Sequence, residues 1–174
     1  MAAAVRKGIK ISGFCLFGIY VAGLIYFLFL AEGYGRGMEG AVNGCNIYPF
    51  REITRYIRYR ELFGWRIVFL NLAGNVLGFM PFGALLPILV RGLRKCWKAG
   101  LLSFEVSAVI EVSQLLFQVG CFDVDDIILN TLGGVVGYAV FWCFSRIYVR
   151  MGGISTAHPQ GGAGNYGKTT GIFL

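Results

Sequence analysis

The chain has 174 residues, 56% of them hydrophobic and 14% charged, with a mean hydropathy of +0.65 and a formal net charge of +7. Soluble domains hold about 25% charged residues, so this composition excludes an ordinary soluble domain and indicates an integral membrane protein. The positive balance needs no nucleic-acid partner, because its placement along the chain fits membrane orientation.

Four apolar runs, Ile9–Ala31, Trp65–Val90, Trp97–Val119 and Ile127–Val149, each reach the roughly 20 residues that a spanning helix needs. The predicted fold is therefore all-α: one bundle of four transmembrane helices over residues 1–150. The first run follows Arg6, Lys7 and Lys10. Its apolar core exceeds that of a secretory signal and Phe29-Leu30-Ala31 is a poor cleavage site, so a retained anchor is expected. Arg91, Arg94, Lys95 and Lys98 fill the loop between the second and third runs, and Arg146 and Arg150 close the fourth. With alternating helices all these cations share one side, which places both termini in the cytoplasm.

Residues 33–45 are Gly-rich and read as a loop on the outer side. Asn46-Ile47-Tyr48-Pro49-Phe50 follows, extended before its proline. Glu52 to Phe63 has the pattern of a short helix, with Tyr56 and Tyr59 set among Arg51, Arg55, Arg58 and Arg60. Such a helix suits the headgroup level, where tyrosines anchor and arginines meet phosphate; a solvated basic loop explains the same residues. Cys45 and Cys121 both fall on the outer side, where oxidation could join them, although nothing local fixes their separation.

The second run holds Asn71, Gly74, Asn75, Gly78 and Pro81. Gly74 and Gly78 form a GxxxG spacing for close helix approach, and Asn71 and Asn75 share a face with Gly78. In the third run, Ser103, Ser107, Glu111, Gln114 and Gln118 fall within one stripe of about 80° at helical pitch. An ionisable group in a bilayer needs a partner or a purpose, which makes this stripe the place to seek function. Glu105 lies off the stripe and is expected to pair with Lys98 or Arg94, or to snorkel. The fourth run opens with Asp123, Asp125 and Asp126, which a helix N-terminus favours as caps. Without a histidine they make at best a weak, exposed hard-cation site, so no metal is assigned. Asp126, Asn130, Gly133 and Gly137 share one face of that helix. Residues 151–174, with the lone histidine His158, are Gly-rich, polar and expected to be a disordered cytoplasmic tail.

At 1.5 Å per residue, Glu111 and Gln114 lie about 12 and 8 Å below the outer end of their helix, Asn71 and Asn75 about 9 and 15 Å, and Asn130 about 5 Å. One shared level predicts one polar cluster in the outer half of the membrane.

The NIYPF segment, Asn71-Leu72-Ala73-Gly74-Asn75 through Phe79-Met80-Pro81-Phe82-Gly83, Ser107 with Glu111 and Gln114, and Phe122-Asp123-Val124-Asp125-Asp126 running into Asn130-Thr131-Leu132-Gly133-Gly134 together resemble the VanZ-like family over roughly residues 44–145. The resemblance implies a bacterial plasma-membrane protein and a link to teicoplanin-type glycopeptide resistance, without supplying a reaction. Gly120-Cys121 stand where some members carry an arginine before the acidic turn, so an Arg–acid pair is not expected there.

Three functional readings follow. In the first, Asn71, Asn75, Glu111, Gln114, Asp125, Asp126 and Asn130 line an outward-opening pocket for a membrane lipid or lipid-linked envelope component, with Arg51, Arg55 and Arg58 on its phosphates. In the second, Glu111 is the general acid or base of an intramembrane enzyme acting on such a lipid. In the third, the cluster belongs to a structural or transport bundle. No cofactor motif, no activated nucleophile and no nucleic-acid signature is present; self-association into a homo-oligomer is compatible with every reading.

Overall fold

A chain this apolar must satisfy its backbone polar groups internally, and helices do so within single segments. The computed structural model describes residues 2–30, 45–117 and 120–150. Its elements are α1 (Ala2–Leu30), α2 (Arg51–Arg58), α3 (Arg60–Phe63), α4 (Trp65–Leu89), a 3-10 turn (Arg91–Leu93), α5 (Cys96–Phe117) and α6 (Val124–Arg150). Trp65–Leu89, Cys96–Phe117 and Val124–Ile147 are long and apolar enough to cross a membrane. The fourth expected span corresponds to α1, a 29-residue helix whose described apolar stretch, Ile11–Tyr26, is shorter than the other three. The Gly-rich loop, Gln118 and the tail with His158 lie outside the described residues.

The tightest seam joins α4 to α6, and it differs from the expected one. A Cβ added to Gly74 would meet nothing within 4 Å, and one on Gly78 would only touch Leu24 at 3.6 Å. The close approach runs instead along Val76, Met80 and Gly83 of α4. There a Cβ on Gly83 would collide with the carbonyl of Gly134, and one on Gly137 with the carbonyl of Met80. The glycines of α6 are thus a packing face as the spacing suggested, with Gly133 and Gly137 against the Val76 and Met80 carbonyls and Gly134 against Gly83, rather than against Gly74 and Gly78. α5 completes the bundle by packing on α6 and, less extensively, on α4.

α1 packs on α4 through Phe17, Tyr20 and Leu24, which join Phe79, Phe82, Leu86 and Ile110 in the apolar core. The Phe17 and Phe82 rings are 5.7 Å apart, and the Tyr20 hydroxyl donates to the Gly78 carbonyl at 2.5 Å. At the cationic end, Arg94 Nε donates to the Pro87 carbonyl at 3.0 Å and the Tyr138 hydroxyl to the Arg94 carbonyl at 3.0 Å. These bonds fasten the short connection between α4 and α5 to α6.

The predicted helix from Glu52 to Phe63 forms as two pieces, α2 and α3, broken at Tyr59. Phe50 adopts a left-handed conformation (φ 66°) just before α2. Gly64, with φ 82°, makes the turn from α3 into α4, a backbone region that side chains disfavour.

Candidate functional site

The polar residues of α4, α5 and α6 meet at the end of the bundle where α6 begins. The chain there crosses from Phe122 to Asn46 as an isolated parallel bridge: Asn46 N–H donates to the Phe122 carbonyl at 2.8 Å, and Val124 N–H to the Asn46 carbonyl at 3.0 Å. Asn46 Nδ2 donates to Asp123 Oδ1 at 2.9 Å. The same oxygen accepts the Asp125 N–H at 2.8 Å, so Asp123 caps α6 as a carboxylate at a helix N-terminus should. Asp123 N–H in turn donates to Glu111 Oε2 at 2.9 Å. Glu111 is 3% exposed, so the carboxylate that stood out in the apolar run is spent on the first turn of the neighbouring helix.

Two further bonds tie the helices below this level. Asn75 Nδ2 donates to Asp126 Oδ1 at 2.6 Å, linking α4 to α6. Asn130 Nδ2 donates to Ser107 Oγ at 2.9 Å, linking α6 to α5. Gln114 is buried on the same side of α5. The structure therefore brings Asn75, Glu111, Gln114, Asp126 and Asn130 to one end of the bundle. Asn71 does not join them: its Nδ2 donates back to the Ile67 carbonyl of its own helix at 2.9 Å.

Asp125 behaves unlike its neighbours. It is 1% exposed and turns away from α6. Its Oδ1 accepts the Phe50 N–H, and its Oδ2 accepts the N–H groups of Glu52 at 2.7 Å and Ile53 at 3.1 Å. Asp125 is thus the N-terminal cap of α2, supplied from more than seventy residues away. A helix N-terminus offers unpaired donors and a partial positive charge, and a carboxylate satisfies both.

The helix held this way carries Arg51, Arg55 and Arg58, which share one face at i, i+4 and i+7 and are exposed. Arg55 pairs with Glu52 at 2.6 Å and lies over the rings of Tyr56 and Phe63 at 5.4 and 5.9 Å. Among the described residues, no group of three His, Cys, Asp or Glu is placed to hold a metal ion. Cys45 and Cys121 are not joined by a disulfide, so the bridge that joins their neighbours Asn46 and Phe122 does not depend on one. Asn46 and Asp123 are central to this arrangement and stand outside the predicted pocket lining. Asp123 is legible in the sequence as a helix cap, whereas Asn46 is marked there only by its place in the NIYPF segment.

A family model described as VanZ/LLP1 matches residues 17–145, reaching into α1 beyond the motif-bearing segment. Protein VanZ of Enterococcus faecium is 32% identical over 73 residues, which cover 42% of this chain and 45% of that protein. The match thus spans less than half of the relative's length. No solved structure matches.

Proposed function

The chain belongs to the VanZ/LLP1 family of membrane proteins, and from that premise we propose that it is a multi-pass accessory protein of a bacterial plasma membrane that binds the phosphate-bearing headgroup of a lipid-linked envelope component. In this reading both termini are cytoplasmic and the Asp123 end of the bundle faces outward. Arg51, Arg55 and Arg58 hold the phosphates, and the side chains of Asn75, Glu111, Gln114, Asp125, Asp126 and Asn130 form the floor on which the arginine helix rests. Asn71 takes no part in that floor. The similarity to Protein VanZ supports placing this activity in tolerance of teicoplanin-type glycopeptides.

One observation carries the proposal: the Asp125 carboxylate caps α2 through three backbone N–H groups. An arginine-bearing helix held by a buried acid at the end of a membrane bundle is a prepositioned anion site rather than a floppy basic loop. Arginine suits phosphate because its planar donors bind two oxygens at once. The test is binding of a polyprenyl diphosphate to the full chain in neutral nanodiscs. Each headgroup-level cation contributes about 1 kcal/mol, so replacing Arg51, Arg55 and Arg58 by Gln together should weaken binding on the order of 100-fold. Binding should also weaken with salt. Unchanged affinity in the triple variant overturns the proposal.

A further inference from the structure

Glu105 stands apart from the polar cluster. It lies nine residues from one end of α5 and twelve from the other, so at 1.5 Å per residue it is about 14 and 18 Å from the two ends, near the middle of the span. Its side chain is exposed. Among the described residues it has no hydrogen-bond or ion-pair partner. The two expected partners are used elsewhere: Lys98 Nζ donates to the Gly92 carbonyl at 2.8 Å and Arg94 Nε to the Pro87 carbonyl. An ionisable group at this depth is costly without a partner and ordinarily marks function.

Glu105 also opens into a cavity. Because α1 packs on α4 rather than on α5, a cleft remains between α1 and α5. Its volume is about 280 Å³, and its walls include Val21, Leu24 and Ile25 of α1, Phe82 of α4, and Val106 and Val109 of α5. Glu105 is the single ionisable side chain in an otherwise apolar lining. Ligand cavities run from about 300 Å³ upward, so this space suits a small amphiphile rather than a helix. A second copy of the chain cannot supply the missing cation at this depth. No Lys or Arg occurs within residues 11–30, 67–90, 99–117 or 127–145.

We propose that the α1–α5 cleft binds a lipophilic amine entering from the bilayer, its apolar chain along Val21, Ile25 and Val109 and its protonated nitrogen donating to the Glu105 carboxylate. The apolar walls supply affinity without direction, and the one carboxylate supplies selectivity for a cationic donor. The site is separate from the arginine helix, so neither proposal depends on the other.

Dicyclohexylcarbodiimide, a membrane-soluble reagent, tests this in vesicles of zwitterionic phospholipid carrying the full chain. A protonated carboxyl adds across its C=N bond, with the oxygen bonding to carbon and the proton passing to nitrogen. The O-acylisourea then rearranges to a stable N-acylurea that peptide mass spectrometry locates. Glu105 should be labelled and Glu111 should not, since Glu111 is buried on the Asp123 N–H. N,N-dimethyldodecylamine should slow labelling about tenfold, the effect of one charge-assisted contact. Dodecanol should leave the rate unchanged. Glu105→Gln should lose both the label and the saturable uptake of the amine measured by equilibrium dialysis. Equal protection by dodecanol overturns the proposal, because filling the cleft would then suffice. So does absence of labelling, labelling that the amine does not slow, or protection that grows with protein density alone.

Discussion

Asp125→Asn isolates the link between the polar cluster and the arginine helix. The carboxylate has two oxygens and accepts three backbone N–H groups, from Phe50 on one oxygen and from Glu52 and Ile53 on the other. An amide has one oxygen. Turned toward Glu52 and Ile53, it keeps two bonds in neutral form and sets its NH2 against the Phe50 N–H, donor facing donor. The variant loses one charge-assisted bond, which contributes about 1.5–3 kcal/mol, and weakens two others by roughly half. A total near 3 kcal/mol follows after allowing for relaxation, and at about 1.4 kcal/mol per decade that lowers the docked population on the order of 100-fold. An undocked eight-residue helix does not persist alone, because helices below about 12 residues are marginal in water. Hydrogen exchange read on peptides covering residues 50–63 in vesicles should therefore rise by a similar factor, while the amides of α4 and α6 keep their protection. The glycine seam makes that separation possible, since it holds α4 to α6 without α2. If exchange over residues 50–63 is unchanged while the variant is folded, Asp125 is not what positions the arginines.

Gly83→Ala should lower the melting temperature in detergent, because its Cβ meets the Gly134 backbone and overpacking costs about 1–3 kcal/mol or more. Gly74→Ala should leave stability equal or higher, since its Cβ meets open space and alanine is favoured over glycine in a helix by about 1 kcal/mol. Equal damage from both would place the helix seam elsewhere. Glu111→Gln should keep the acceptor for the Asp123 N–H and stay near wild type in stability and in the proposed binding of polyprenyl diphosphate. Glu111→Ala strands that buried donor and should cost about 1–3 kcal/mol. Loss of that binding in the Gln variant, with α6 still protected from exchange, would instead show that the Glu111 charge itself is required.

The sequence discloses what depends on depth and periodicity, and hides what depends on which remote group a side chain meets. Glu111 was conspicuous because a carboxylate in an apolar run is costly, and counting residues from the helix ends put Asn75, Asn130 and Gln114 near its level. Those are local quantities, and the structure gathers the four at one end of the bundle. GxxxG is a spacing without an address, so Gly74 and Gly78 looked equivalent to Gly133 and Gly137, although only the latter pair faces a backbone. Asn71 had the right depth, but its amide bonds its own helix, an alternative open to any helical asparagine. Asp125 was hardest to read. Its spacing sets it about 100° from Asp126 around α6, which says that the two point apart but not that the start of α2 waits in that direction. That fact comes from the Asn46 bridge, since joining Asn46 to Phe122 and Val124 delivers Phe50 and the start of α2 to the side of α6 where Asp125 emerges. The acidic turn thus caps two helices at once, Asp123 its own and Asp125 the arginine helix. That division of labour explains two of the three acids through helix-end donors, and the Asn75 side-chain amide accounts for Asp126. It also explains why the acids and the arginines, opposite in charge and near in space, need not neutralise each other: the carboxylate of Asp125 faces backbone N–H groups, which leaves the guanidinium groups of Arg51 and Arg58 exposed and outside the ion pair that Arg55 forms with Glu52.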